Sequence, residues 1–396
     1  MKIKFYFFSF LFFAITNGFC DSLTNVHSWA YQLQGININQ IASDTSFELI
    51  VIDYSSDGSD ATKFSPAQIS QIKNSGKKAI AYISIGEAED YRFYWKSSWG
   101  TNPPAFLGPE NPDWAGNYKV KFWDAQWQNI VFSYIDTIIQ QGFDGIYLDI
   151  VDAYYYWKEE NPQEPFADTL MINFVQNIRN HISNTTANIF YIIPQNAEDI
   201  VNSDNVSAAQ KTAYFNAIDA AGVEDVFFYG NLDEDNPYNP DAYRLNQLQE
   251  YLQNGKQVFS IEYLTQPAKI QQYMSAADSQ NFIPLVCVRN LDQLCSGINL
   301  SAAIENNIFS ADEISVFPNP ATFYSIINFN NDISEDFEIT VFSIDGKLIK
   351  IISSNNLIKN YNHTFLLNVS DFGNGLYFLE IKSELLRNMI KFAVIK

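Results

Sequence analysis

The sequence contains few histidines, which limits the chemistry it can support. Only His27, His181 and His363 occur in 396 residues, and they are far apart in the chain. A histidine-rich metal centre and a Ser-His-Asp triad both need imidazoles at one site, so neither is expected. We therefore predict a function that needs no metal and no cofactor.

Cysteine is equally scarce. After Cys20 the chain has only Cys287 and Cys295. In an exported protein these two could form a disulfide, and two free buried thiols are the alternative. Their spacing does not decide between the two possibilities.

Positive charge is also in short supply. The chain has 24 Lys and Arg against 45 Asp and Glu, a formal net charge of −21. Such a chain repels phosphates, so nucleic acid is not an expected partner. A cationic or neutral substrate fits better, although acidity can also serve solubility alone.

Beyond the amino terminus, no apolar run is long enough to span a bilayer. Residues 1–20 begin with Lys2 and Lys4, and residues 5–15 form a short apolar core. This pattern predicts a secretory signal peptide. Cys20 could suggest lipidation, but Phe19 is bulky where a lipoprotein signal needs a small residue.

Strand-like and helix-like segments alternate about eight times between residues 29 and 292. The predicted strands are 29–33, 49–54, 79–84, 145–149, 189–194, a poorly defined sixth within 213–229, 258–262 and 283–288; the clearest helices are 66–74, 127–140, 171–182 and 242–254. This alternation predicts an α/β fold, a (β/α)8 TIM barrel over residues 21–300. A doubly wound sheet is the alternative, but no glycine-rich loop follows the first strand.

The pattern changes near residue 311. Seven short alternating runs follow, at 313–317, 326–329, 338–342, 348–352, 363–367, 375–381 and 389–395. Short strands separated by Gly and Asn turns predict a small C-terminal all-β sandwich over 313–396, after a linker at 301–312.

Acids and amides follow several of the predicted barrel strands. Asp149 and Asp152 end the fourth strand, and comparable residues at other strand ends are Asp53, Tyr54, Glu87, Asn196, Glu224, Glu262 and Tyr263. A barrel brings such residues to one mouth. Each alone has a simpler explanation, such as a helix cap for Asp53.

Paired carboxyls with nearby aromatics suggest cleavage of a sugar polymer. Glycosidic hydrolysis needs one carboxyl to protonate the leaving oxygen and a second to attack carbon or activate water. Six of seven tryptophans fall between Trp95 and Trp157, and residues 91–123 are predicted to form a loop over the mouth. These rings could stack on sugars, or could form the loop's own small core.

Several ordered motifs resemble glycoside hydrolase family 114, the endo-α-1,4-polygalactosaminidase-like TIM barrels. They are Trp29-Ala30-Tyr31-Gln32-Leu33, Val51-Ile52-Asp53-Tyr54, the segment 81–92 and Tyr147-Leu148-Asp149. The resemblance implies hydrolysis of an α-1,4-linked galactosamine polymer. It implies Asp149 as one catalytic carboxyl and Glu224 as the second, with Glu262 as the competing candidate. The implied substrate-binding residues are Asp53, Tyr54, Glu87, Tyr147, Asp152, Asn196 and Tyr263.

The C-terminal region resembles the sorting domain of proteins exported by the type IX secretion system. The matching segments are 316–321, 341–347, 373–378 and 391–396. This resemblance implies export across the outer membrane of a Gram-negative bacterium. A carbohydrate-binding sandwich is the alternative, but the tail has no Trp.

Together these features predict a secreted, monomeric glycoside hydrolase. Its partners would be an amino-sugar polysaccharide and the type IX secretion machinery. A non-catalytic polysaccharide-binding protein on a barrel scaffold is the alternative function.

Overall fold

The computed structural model describes residues 23–296, 314–329, 338–344, 347–353, 364–382 and 387–396. The predicted signal peptide and the predicted linker at 301–312 lie outside these residues. The first region forms a TIM barrel of eight parallel strands, as predicted. They are β1 (Trp29–Gln32), β2 (Leu49–Ile52), β3 (Lys78–Ser84), β4 (Gly145–Asp149), β5 (Tyr191–Pro194), β6 (Ala220–Glu224), β7 (Gln257–Tyr263) and β8 (Ile283–Cys287).

Backbone pairing runs around the barrel in chain order. Strands β1 to β5 are joined by parallel ladders, and β6 to β8 form a second parallel group. A bridge between Gln195 and Gly222 links β5 to β6. The indole of Trp29 donates to the Ile283 carbonyl at 3.0 Å, which ties β1 to β8.

Seven helices cover the outside of the barrel. They are α1 (Ile38–Ser43), α2 (Pro66–Asn74), α3 (Ala125–Gln141), α4 (Ala167–Thr185), α5 (Ala208–Ala217), α6 (Ala242–Gln253) and α7 (Pro267–Ser279). Local chemistry sets their ends: a Ser65 capping box and Pro66 begin α2, and Gly142 at φ 88° ends α3. After β8 the described chain continues not as a helix but as a short strand, Cys295–Ser296.

This short strand pairs antiparallel with β1 and is bonded covalently to β8. Ala30 lies opposite Ser296 in the ladder, and Cys287 forms a disulfide with Cys295. The sequence left this pairing open. The structure brings the two cysteines together because β8 and the returning strand both lie beside β1.

Two apolar layers hold the barrel together. The inner layer consists of side chains that point into the barrel, including Trp29, Tyr31, Tyr147, Phe259 and Leu285. The outer layer lies between the strands and the helices. Because strand side chains alternate between faces, neighbouring residues of one strand contribute to different layers.

A three-stranded antiparallel sheet interrupts the chain between β3 and α3. Its strands are Glu87–Glu89, Leu107–Glu110 and Asn117–Val120. This segment was predicted as a loop. Its aromatic rings pack together: Trp95 lies 5.0 Å from Trp99, which lies 5.4 Å from Phe106.

The C-terminal region forms two antiparallel sheets, as predicted. The first contains Ile314–Phe317, Tyr324–Phe329 and Thr364–Asn368; the second contains Glu338–Ser343, Leu348–Ser353, Gly375–Lys382 and Arg387–Val394. Their buried residues, among them Ile327, Val341, Leu367 and Leu379, form a core of their own. Among all described residues, no helix has the length and apolarity that a membrane span requires.

Candidate active site

Asp149 and Glu224 occupy equivalent positions, each being the last residue of its strand. Alternation places Asp149 on the inner face of β4 with Tyr147, and Glu224 on the inner face of β6 with Gly222. Both side chains are half-buried at the carboxyl end of the barrel. This is the end at which TIM barrels carry their chemistry.

Asp149 has an unusually high affinity for a proton. Burial raises the pKa of its carboxyl to about 7, and the charge of Glu224 adds to the rise. The Tyr82 hydroxyl donates to Asp149 Oδ2 at 2.6 Å and opposes the rise by stabilising the carboxylate. The charge of Glu224 is thus one of the causes that favour the neutral form of Asp149.

Two side chains hold the carboxyl of Glu224. The Tyr263 hydroxyl donates to Oε2 at 2.6 Å, and the Asn196 amide donates to Oε1 at 3.2 Å. Each carboxyl of the pair thus accepts a hydrogen bond from a tyrosine. Burial raises the pKa of both tyrosines well above the usual value, so both hydroxyls stay protonated donors.

Tyr147, predicted to bind substrate, lies below the pair inside the barrel. It is fully buried, and its hydroxyl has no hydrogen-bond partner among the described residues. The ring fits only because β6 has glycine opposite: a Cβ at Gly222 would lie 1.8 Å from the Tyr147 hydroxyl. Tyr147 forms the floor of the site and is not open to solvent.

Asp152 lies at the edge of the site, after β4, with its side chain exposed. Its pKa is raised to about 6, first by reduced hydration and also by Glu224, whereas Lys119 lowers it. The nearby Lys119 cation thus limits the rise in the pKa of Asp152. Asp152 is placed where it could contact a bound substrate.

Glu262, the competing candidate for the second carboxyl, is not brought to this site. It lies on the outer face of β7, fully buried, and accepts a hydrogen bond from the Phe227 backbone N–H at 2.6 Å. Burial raises its pKa to about 8. The alternation of β7 explains the placement, because Tyr263, one residue on, takes the inward position beside Glu224.

Asp53 lies in a buried ion-pair network. It pairs with Arg92 at 2.6 Å, and Arg92 also pairs with Glu89 at 2.7 Å. The helix-cap alternative does not hold, because Ser65 caps α2. Burial raises the pKa of Asp53 although Arg92 opposes the rise.

Tyr54 and Glu87 are also buried. Tyr54 packs between the barrel and α3, with its ring 4.8 Å from that of Tyr134, so it faces away from the barrel interior. Glu87 accepts hydrogen bonds from Lys119 at 2.8 Å and Asn111 at 2.9 Å. Both residues are placed to support the segment after β3.

The tryptophans of residues 95–157 serve mainly the fold. Trp99, Trp127 and Trp157 are buried, and only Trp114 of the six is strongly exposed, at 58%. The interpretation that these rings form a local core therefore holds for most of them. Trp114 and Tyr155 are among the exposed rings of this region, together with Tyr91 and Phe93.

Sequence reasoning missed three residues that organise the site. Tyr82 could have been found, since it shares the inner face of β3 and lies two residues before the strand end. Arg244 and Glu198 form an ion pair behind Asn196, and nothing in the local sequence signals it. Within the described ranges, no three His, Cys, Asp or Glu side chains are grouped to hold a metal ion.

Comparison with known proteins identifies both regions. Residues 17–301 match glycoside-hydrolase family GH114, and residues 315–396 match the secretion system C-terminal sorting domain. An uncharacterized protein of Methanocaldococcus jannaschii, MJ1477, is 40% identical over 291 residues, covering 69% of this chain and 82% of that protein. An uncharacterized protein of Thermotoga maritima is 38% identical over 273 residues, covering 67% of this chain and 81% of that protein.

The fold is shared with a solved structure of low sequence identity. The glycoside hydrolase domain of PelA from Pseudomonas aeruginosa is 14% identical and covers 69% of this chain and 98% of that domain, with a TM-score of 0.53. The sorting domain directs the protein through type IX secretion to the cell surface or the medium. The barrel match covers well over half of the chain, and on that ground the protein belongs to glycoside-hydrolase family GH114.

Proposed function

We propose that the enzyme cleaves internal α-1,4 linkages of a galactosamine-containing exopolysaccharide, with Asp149 and Glu224 as the catalytic carboxyls. The observation that carries the proposal is the pairing of these two inward carboxyls at the ends of β4 and β6, each held by a tyrosine hydroxyl. Two positioned carboxyls are what glycosidic hydrolysis requires.

The two carboxyls would divide the reaction between them. Glu224 donates its proton to the glycosidic oxygen as the bond to the anomeric carbon breaks. Asp149 either attacks that carbon or takes a proton from the attacking water. Detection of the first-formed anomer by NMR distinguishes these two routes.

Charge supports an amino-sugar as the substrate. The site holds Asp149, Asp152 and Glu224, and the whole chain carries a net charge of −21; the neighbouring Asp225 is already paired with Arg289. An ammonium group bound nearby would favour the ionised form of Asp149. Substrate binding would then bring a carboxyl with a pKa of about 7 into its reactive state.

The test is digestion of partly deacetylated α-1,4-galactosamine polymer, with oligomers detected by mass spectrometry. Asp149→Asn and Glu224→Gln should each lower turnover by about 10³-fold or more, without loss of the fold. Glu262→Gln is the matched control, because Glu262 lies on the outer face of β7, away from the site. This variant should keep near-normal activity. Full turnover by Asp149→Asn would overturn the assignment.

We also propose that residues 1–20 are a cleaved leader and that the mature enzyme is a monomer. The charge and apolar pattern of residues 1–20 supports the first point. Mass spectrometry of the exported protein and light scattering on the purified enzyme check the two points. A retained leader or a dimer mass would contradict them.

A further inference from the structure

An ion pair behind the site, between Arg244 and Glu198, is connected to the Glu224 carboxyl through the amide side chain of Asn196. Asn196 follows β5 at φ 57°, and its backbone N–H donates to the Gly222 carbonyl at 2.9 Å. Its position is therefore tied to β6, the strand that ends in Glu224. An asparagine tolerates this left-handed conformation better than most residues.

Two donors converge on the side-chain oxygen of Asn196. The backbone N–H of Glu224 reaches Oδ1 at 3.3 Å, and Arg244 Nη2 reaches it at 3.1 Å. Since both partners are donors, this side of the amide must be the oxygen. The amide nitrogen is thereby turned towards Glu224 Oε1.

Arg244 makes two further contacts that fix it in place. Its Nη1 donates to the Glu224 backbone carbonyl at 3.1 Å, and its Nε pairs with the carboxylate of Glu198. Glu198 is only 5% exposed. Arg244 thus holds the last residue of β6 by its backbone and, through Asn196, by its side chain.

We propose that Arg244 is a positioning residue for the reaction and that Glu198 holds its guanidinium in place. The Glu198 carboxylate pairs with Nε, which leaves Nη1 for the Glu224 backbone carbonyl and Nη2 for Asn196 Oδ1. The inference rests on the proposed role of Glu224 as proton donor.

The experiment compares Arg244→Met, Glu198→Gln and the double variant in the full-length enzyme. Arg244→Met should lower kcat by about 10- to 100-fold with KM within about threefold, because it misplaces a reacting group rather than substrate. Glu198→Gln should also lower kcat with little change in KM, because the guanidinium loses the carboxylate that holds it. The double variant should be within about threefold of Arg244→Met, because both changes act through the same contact.

Arg179→Met is the matched control. Arg179 also pairs with a carboxylate, Asp219, and donates to the backbone carbonyls of Ala217 and Phe190, but at the opposite end of β5 and β6. It should lower the melting temperature and leave kcat unchanged. A merely structural role for Arg244 would give the same result as this control.

Wild-type kcat in Arg244→Met, or a double variant much slower than Arg244→Met alone, overturns the inference. A crystal structure of Arg244→Met tests it without any substrate: the Asn196 amide should leave Glu224 Oε1. If the amide keeps its place, the inference fails whatever the activity. If the wild-type enzyme does not cleave the polymer, the proposed function fails and the crystal structure still decides on Arg244.

Discussion

At the scale of single residues, one hydroxyl group tunes the charge state of Asp149. Tyr82 donates to Asp149 and is almost fully buried. A hydrogen bond to a carboxylate favours its ionised form. Tyr82 thus opposes the effect of burial, which favours the neutral form of Asp149.

Tyr82→Phe should therefore shift the acid limb of kcat/KM to higher pH. The variant loses the hydrogen bond that lowers the pKa of Asp149, so ionised Asp149 becomes scarcer below about pH 7. We expect an upward shift of roughly half to one pH unit in a pH–rate profile. The control is Tyr273→Phe, because the Tyr273 hydroxyl donates to Ser260 on the outer face of β7. Equal pH profiles for the two variants would contradict the role of Tyr82.

Glu262→Gln should become more stable than the wild type as the pH rises. The pKa of folded Glu262 is about 8, against roughly 4.3 in an unfolded chain. Its stabilising contribution is complete below about pH 4 and is lost as the pH approaches 8, because the unfolded chain releases the proton first. Glutamine keeps an oxygen for the Phe227 N–H and carries no charge.

Thermal melts at pH 5 and pH 8 check this prediction. Relative to wild type, the Glu262→Gln melting temperature should rise by roughly 2–5 °C between the two pH values. The control is Glu160→Gln, at an exposed position, which should show no such change. A constant difference across pH would show that Glu262 does not titrate in this window.

At the scale of elements, the sequence predicted most of the barrel and tail. Helix α2 and strand β4 were predicted at their observed ends. Pro66 marks the start of α2, Gly142 ends the helix before β4, and Gly145 begins β4. The sixth strand was poorly defined, since Ala220–Glu224 is short and contains Ala and Gly rather than branched residues. The antiparallel sheet after β3 was missed because its strands lack clear alternation.

Site residues were predictable where strand periodicity controls them. Asp149 and Glu224 end strands with inward parity, so their convergence follows from the barrel. Glu262 shows the limit, because neighbouring residues of β7 face opposite sides and a shift of one residue in this alternation would exchange the places of Glu262 and Tyr263. The role of Arg244 could not be predicted from the sequence, because it depends on where α6 packs against β6.

The close contact between Tyr147 of β4 and Gly222 of β6 predicts that a larger residue at position 222 strongly lowers stability. Gly222→Ala would place a Cβ 1.8 Å from the Tyr147 hydroxyl, inside a packed barrel. We expect a loss of about 3 kcal/mol of stability and a melting temperature lower by about 6–12 °C. Gly100→Ala, with nothing within 4 Å of its Cβ, is the control; similar melting of both variants would argue against this fit.

At the scale of the whole molecule, the first and last strands of the barrel are linked through a disulfide as well as through backbone hydrogen bonds. The Cys287–Cys295 disulfide joins β8 to the strand that pairs with β1. Replacing both cysteines by serine should lower stability by about 2–3 kcal/mol, the loop-closure value for eight residues. Denaturant titration measures the loss, which should also follow reduction of the native protein; an unchanged midpoint would rule out a stabilising role.

The position of this disulfide has a consequence for export. Thiols stay reduced in the cytoplasm, where the newly made chain begins its passage, and become oxidised beyond the inner membrane. The disulfide that links β8 to the strand beside β1 therefore forms only after the chain has crossed its first membrane. The catalytic domain thus gains the stability that this disulfide provides only once it has left the cytoplasm.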